Sequence, residues 1–255
     1  MLEVHSLSKS YSSVPALDKV SFTIKPGEVL GYLGPNGSGK STTVKIITGL
    51  LEPGGGQVFF RGKRIQEDLT AYKRRIGYVP EEAYLYPFLS GWEYLELVGR
   101  LRGLPTRLIR KRGEALVELF AMHEHRHTAI SAYSKGMRQR ILLIAALLHN
   151  PELIIFDEPL SGLDVTSALI FRKLVSALAE DGKMIFYCSH VLEVVEKVCS
   201  HVTILQKGRQ VAYGTVEDLK RFQAMPSLEA AFAQLVQEVD AGESAHAIVE
   251  AMVNG

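Results

Sequence analysis

The segment from Gly34 to Thr42 reads Gly-Pro-Asn-Gly-Ser-Gly-Lys-Ser-Thr and fills every defined position of G-x-x-x-x-G-K-[ST]. Glycines at this spacing let backbone N–H groups turn inward around a polyphosphate. Lys40 can reach the β- and γ-phosphates, and the Ser41 hydroxyl can ligate Mg²⁺. The surroundings agree. Glu28–Leu33 reads as a strand entering the loop, and Thr43–Gly49 as a helix leaving it, whose N-terminus favours an anion. A chance Gly-rich turn would not bring both neighbours. Gly34, Asn36, Gly37, Ser38, Gly39, Lys40, Ser41 and Thr42 are therefore assigned to a nucleotide.

A second set of residues completes the chemistry. Leu153-Ile-Ile-Phe156 is a continuous apolar run, as expected of a strand covered on both faces, and Asp157-Glu158 follow at its C-terminal end. Ligands of α/β sheets bind at that end. Asp157 is placed to hold Mg²⁺ through the metal's water shell, opposite Ser41. Glu158, one residue further, can reach a water in line with the γ-phosphate. A carboxylate acting there as general base or water-positioning group is worth about 10²–10⁴ in rate. These two motifs alone predict a P-loop NTPase using a nucleoside triphosphate and Mg²⁺.

The elements that must position these groups can be read from pattern. Leu2–Tyr11 and Ala16–Lys25 read as strands joined by a Ser/Pro turn; further strands are expected at 57–60, 76–79 and 184–187, with a terminal hairpin at 202–213 around Lys207-Gly208. Ser90-Gly-Trp-Glu93 fits a capping box opening a helix toward Arg102, and Thr106–Met122 continues at helical period. Residues 84–133 thus read as a mostly helical insert between core strands. Helices are also expected at 135–149, stopped by Asn150-Pro151, and at 165–180. From Ser227 an amphipathic pattern predicts a short helical tail, interrupted at Gly242, that docks on its own domain or on a partner.

The order of further motifs narrows the class. Tyr133-Ser-Lys-Gly-Met-Arg-Gln-Arg140, just before the Asp157 strand, resembles the signature of ATP-binding cassette (ABC) ATPases, usually LSGGQ followed by a basic helix. Ser161-Gly-Leu-Asp164 resembles that family's D-loop, Ser189-His190 its switch histidine, and Tyr11 the aromatic that stacks on adenine. The resemblance covers roughly residues 2–220 in the correct order. It implies an α/β fold with a P-loop NTPase core, an antiparallel β subdomain and a helical subdomain, the whole cassette occupying 1–226 and the tail 227–255. It implies ATP and Mg²⁺ as cofactors, and a head-to-tail pair of cassettes, with homodimer or heterodimer left open. Ser134 and Gly136 of one cassette would then reach the other's γ-phosphate, His190 would contact that phosphate, and Asp164 would couple the two sites.

Two motifs depart from the common pattern. Tyr133, Lys135 and Met137 stand where Leu, Gly and Gln are usual, although Ser134 and Gly136 are kept. Glu81, in Ile76-Gly-Tyr-Val-Pro-Glu81, replaces the usual Q-loop glutamine; its oxygen can still reach Mg²⁺, but it adds a negative charge and loses an N–H₂ donor. Both variations resemble the branch serving ABC-2-type exporters. In transporters the helical insert receives a short helix from a membrane subunit. Tyr84, Leu85, Tyr86, Phe88, Trp92 and Tyr94 cluster where it begins; Tyr84, Tyr86 and Phe88 divide evenly between interface anchors and subdomain core, and Trp92 is assigned to the core.

Composition sets the outer limits. A chain of 255 residues with net charge +1 can build its core without staples and has no global attraction for nucleic acid. Cys188 and Cys199 lack metal-type spacing, and the start of the chain shows no signal-peptide pattern. The longest apolar run, 141–148, is far below membrane-spanning length. His123, His125 and His127 read as a solvated turn, and the basic clusters at 73–75 and 107–112 as solvated faces. The expected protein is an ATPase held at the cytoplasmic face of the membrane by a separate permease, most simply an exporter. An importer ATPase, or a soluble relative acting on ribosomes or DNA, remains the alternative, although the latter usually carry tandem cassettes or a long coiled-coil insertion.

Overall fold

The computed structural model describes residues 1–160, 165–222 and 227–236. Ser161–Asp164 and the residues beyond 236, including the expected interruption at Gly242, lie outside the described residues.

Two sheets carry the fold. The first is antiparallel, built from β1 (Leu2–Tyr11), β2 (Val14–Ile24), β4 (Gly55–Phe60) and β5 (Lys63–Arg64) in the order β2-β1-β4-β5. β2 starts earlier than its hydrophobic pattern indicates and includes Pro15. It lies at the sheet edge, where a missing N–H breaks no ladder bond. The second sheet comprises β3 (Val29–Leu33), β6 (Ile76–Val79), β7 (Leu153–Asp157), β8 (Met184–Cys188), β9 (His201–Gln206) and β10 (Arg209–Thr215), in the order β10-β9-β3-β8-β7-β6. β6, β7, β8, β3 and β9 run parallel, and only β10 reverses.

The apolar runs at 153–156 and 184–187 follow from burial on both faces. Leu153 and Ile155 of β7 point into one hydrophobic cluster with the antiparallel sheet and α1 (Lys40–Ile47). Ile154 and Phe156 point into another. That second cluster includes Phe171 and Val175 of α6 (Val165–Glu180), Val194 and Val195 of α7 (Leu192–Val198), Leu219 of α8 (Val216–Phe222) and Leu228 of α9 (Leu228–Val236). β3, β7 and β8 are buried along their whole length, and the residues at their C-terminal ends meet one cleft.

A third cluster lies apart, among α3 (Gly91–Leu101), α4 (Thr106–Leu119) and α5 (Lys135–Leu147). The Ser90–Glu93 capping box is present in full: Ser90 Oγ accepts from Glu93 N–H, and the Glu93 carboxylate accepts from Ser90 N–H at 2.8 Å. Pattern reading passes over α2 (Leu69–Lys73), α7 and α8, all shorter than two full turns. Trp92 packs against the third cluster and donates its indole N–H to Glu96 at 3.1 Å. Tyr84, Tyr86 and Phe88 do not join it; they are 82%, 62% and 93% exposed. The three histidines form an exposed turn, where Arg126 caps His123 C=O.

Candidate functional site

The three sealed strands end at one cleft of about 610 Å³. β3 runs directly into the glycine loop, and the loop's geometry explains its composition. Gly34, Gly37 and Gly39 have φ of 159°, 77° and 105°. Gly39 is the N-cap of α1, and a Cβ there would strike the Ala16 carbonyl of β2. Only glycine permits both that conformation and that approach. Ser38 turns inward, its buried Oγ without a hydrogen-bond partner. Lys40 Nζ lies over its own loop, donating to the carbonyls of Gly34 at 2.6 Å and Pro35 at 3.1 Å.

The opposite wall is acidic. Asp157 closes β7, nearly buried, and Glu81 follows β6 on the neighbouring edge. Burial, then the charges of Glu81 and Glu158, push the Asp157 carboxyl up to about 6, against the hydrogen bond from Cys188 and the charge of Lys40. Glu158 stands in left-handed backbone at φ 48°. Its N–H is held by the Cys188 carbonyl at 2.9 Å, and this turn aims its side chain along the cleft. One carboxylate oxygen lies 2.9 Å from His190 Nδ1; the other accepts from Ser189 Oγ at 3.3 Å. The acid and the histidine, distant in sequence, therefore form one hydrogen-bonded group at the ends of β7 and β8.

The cleft thus gathers Gly34, Asn36, Gly37, Gly39, Lys40, Ser41, Thr42, Glu81, Asp157, Glu158 and His190. Three sequence-selected residues stand elsewhere. Tyr11 ends β1 with its ring 48% exposed, off the cleft wall, where Ala16 lies instead. Ser134 and Gly136 open α5, away from this cleft; Ser134 Oγ accepts from Met137 N–H at 3.2 Å as the helix cap. Asp164 lies outside the described residues. Sequence reading missed Gln139, buried in α5, whose amide donates to Pro159 C=O at 3.1 Å and ties that helix to the turn after Glu158. It also missed Leu192 of α7 on the cleft wall, and it read Phe232 of α9 only as part of the amphipathic face of the tail, not as lining the cleft.

The donor set fits Mg²⁺ held with a nucleotide. Among the described residues no group of three or more His, Cys, Asp or Glu is placed to cage an ion. Mg²⁺ needs no such cage: it keeps several waters and binds through one or two protein oxygens plus phosphate oxygens. Burial and the charges of Glu81 and Glu158 raise the Asp157 carboxyl, and that gathered negative charge would favour such a cation.

The family model described as ABC transporter matches residues 17–161, more than half of the chain. This chain belongs to the ABC transporter family. The cassette is 39% identical over 208 residues to the uncharacterized ABC transporter ATP-binding protein all4389 of Nostoc sp. (strain PCC 7120), covering 81% of this chain and 62% of that protein. It is 38% identical over 219 residues to the linearmycin resistance ATP-binding protein LnrL of Bacillus subtilis (strain 168), covering 86% of this chain and 70% of that one. Among solved structures, the ATP-binding subunit of an ABC transporter superposes with TM-score 0.88 at 33% identity, over 92% of this chain and 99% of the other. The dimeric post-hydrolysis state of the cassette MJ0796 bound to ADP and Pi matches with TM-score 0.78 at 27% identity, over 84% and 98%. The fold and the ATPase class of this cassette are those of its family.

Proposed function

We propose that the cassette is the ATP-binding and hydrolysing subunit of a transporter, powering a separate membrane permease for export. The observation that carries this reading is the junction of Lys40, Ser41, Asp157, Glu158 and His190 in one cleft, with Ser134 outside it.

Each group has work to do. Lys40 leaves the Gly34 and Pro35 carbonyls for the β- and γ-phosphate oxygens. Ser41 and Asp157, with Glu81 beside them, would hold Mg²⁺, which would neutralise phosphate charge when bound. Glu158 takes the proton of the attacking water, and His190 orients Glu158 and meets the γ-phosphate. Tyr11 offers its open ring to adenine. Ser134 and Gly136 lie at a helix N-terminus that favours an anion. In a facing second copy they would complete the γ-phosphate's ligands, and Asp164 would link the two sites; the dimeric MJ0796 cassette supports this arrangement. ATP would then favour the closed dimer through contacts that the open one lacks.

Residues 1–226 form the motor in this reading, and 84–133 the arm that meets the permease. Tyr84, Tyr86 and Phe88 support it as exposed aromatics beside Glu81, of the kind enriched at interface cores. No described helix is long and apolar enough to cross a membrane, so the cytoplasmic face would be reached through the permease. LnrL, named for resistance, supports export.

Glu158→Gln tests the reading. The variant retains ATP·Mg²⁺ binding, turns over at least about 10²-fold more slowly, and runs as a dimer with ATP on gel filtration. Wild-type turnover in this variant would refute the assignment of the base. The same variant, used as tagged bait in solubilised native membranes, should retain a polytopic protein lacking its own cassette; ribosomal or DNA-repair partners alone would refute the transporter assignment.

A further inference from the structure

His190 stands on a short turn between β8 and α7, with its side chain 74% exposed. The place of its ring depends on that turn as well as on Glu158, 2.9 Å away. Within the turn, Val191 N–H donates to Ser189 Oγ at 3.1 Å, and Val191 C=O accepts from Val194 N–H at 3.1 Å. Leu192, two residues beyond the histidine, opens α7. That helix has seven residues, and its N-cap Val191 makes no side-chain cap bond. A helix so short is not stable by itself in water, so packing must hold it and the turn before it.

Part of that packing is α9, which lies against α7. The helix starts with its own cap, Ser227 Oγ accepting from Ala230 N–H at 3.2 Å. The Glu196 carboxylate of α7 then accepts the Leu228 N–H at 3.1 Å and pairs with Lys220 of α8 at 2.7 Å. Leu228 is buried in the second hydrophobic cluster. Phe232, four residues on, shares its helix face. The Phe232 ring is half-buried, packs against the same cluster, and lines the cleft together with His190 and Leu192. Since α9 packs on α7, this ring bounds the cleft on the side where the histidine stands.

We propose that Phe232 is a positioning residue for His190: docked with α9, its ring braces the turn between β8 and α7 and so holds the imidazole on Glu158. The proposal rests on the reading of His190 as part of the group that turns over ATP. Loss of the brace leaves nucleotide binding intact and slows the turnover of what is bound. A misplacement of about 1 Å can cost about 10²-fold in rate, and Phe232 is half-buried and acts through the turn, so a loss near tenfold is expected.

The test pairs steady-state ATPase kinetics of the full chain with hydrogen exchange. Phe232→Ala should lower kcat about tenfold with KM for ATP unchanged, and the amides of 190–194 should exchange faster while β7 keeps its protection. Phe232→Leu, which keeps apolar bulk, should restore both. Glu196→Gln loosens the α9 clamp without opening a cavity and replaces the alanine variant if that one fails to fold. His190→Ala separates the two ideas. If it loses turnover and Phe232→Ala keeps kcat, the proposal falls and the reading of His190 stands. Unchanged turnover in His190→Ala overturns both. A raised KM with kcat kept would assign the ring to nucleotide binding. Unchanged exchange at 190–194 would break the link to the turn, and faster exchange through β7 would assign the ring to global stability. Each of these three results overturns the proposal.

Discussion

At the scale of single residues, two buried titratable groups pull the cassette's stability in opposite directions. Asp157 is raised to about 6, mainly by burial, so the folded protein holds that proton more tightly than the unfolded chain. Its contribution favours the fold at low pH and is lost as pH rises from about 4 through 6. His149 behaves in reverse. Burial, aided by the charge of Arg102, lowers it to about 4, and its Nε2 lies 2.9 Å from the Ile76 carbonyl while Nδ1 is buried without a partner. Nε2 must therefore be the protonated nitrogen of the neutral ring. Its contribution is present above the ordinary histidine value near 6.5 and is lost as pH falls through about 4. Over the same window the two slopes offset one another. The ligand-free wild type should show a shallow stability profile from pH 4 to 6.5. Asp157→Asn should become more stable as pH rises there, and His149→Gln less stable, each by an amount of order 1–3 kcal/mol, read from urea melts across the range. Parallel profiles for the two variants would contradict these assignments.

Elements are where sequence and structure agree best and where they part. Helix α3 is anchored by reciprocal hydrogen bonds between Ser90 and Glu93. Ser90→Ala should cost about 1 kcal/mol in a denaturant melt, and Ser90→Asp, which also caps, should cost less. That cap was legible because its chemistry is local: two side chains and two backbone amides within four residues. The sheet strands were legible for a different reason, since burial on both faces demands unbroken apolar runs. The short helices α2, α7 and α8 were not. Each is too brief for periodicity to show and is held by what it packs on, as Tyr72 of α2 is by its hydroxyl bond to the Ile47 carbonyl. The site divides along the same line. Glycine loop, Asp157 and Glu158 announce themselves by spacing. Gln139, Leu192 and Phe232 reach the site only through packing of elements far apart in the chain. The exposure of Tyr84, Tyr86 and Phe88 was equally beyond a one-dimensional reading, because rings that fill a core and rings left on the surface have the same composition.

For the molecule as a whole, α9 is a helix of nine residues held by what it packs on. An isolated helix of that length is not stable in water, so its order derives from docking. Leu228 and Ala231 are fully buried, and Glu196 of α7 receives both the Lys220 ammonium at 2.7 Å and the Leu228 N–H at 3.1 Å. Leu228→Ala should therefore release α9 as a unit. The loss is capped at its docking free energy, below the 2–5 kcal/mol of a trapped cavity. Hydrogen exchange should accelerate in α9 and leave β7 protected; acceleration in both would mean that the helix is integral to global folding. The backbone at Glu158 gives the same tension a different form. A non-glycine residue at φ 48° carries strain of about 1–3 kcal/mol, and here it falls on the residue proposed as the base. Glycine there would relax the chain and remove the acid in one step. Any selection for heat resistance alone, in the laboratory or in lineages that no longer need the turnover, would find that substitution an easy gain. The cassette would then outlast its activity, surviving as a well-folded nucleotide binder that has stopped turning over.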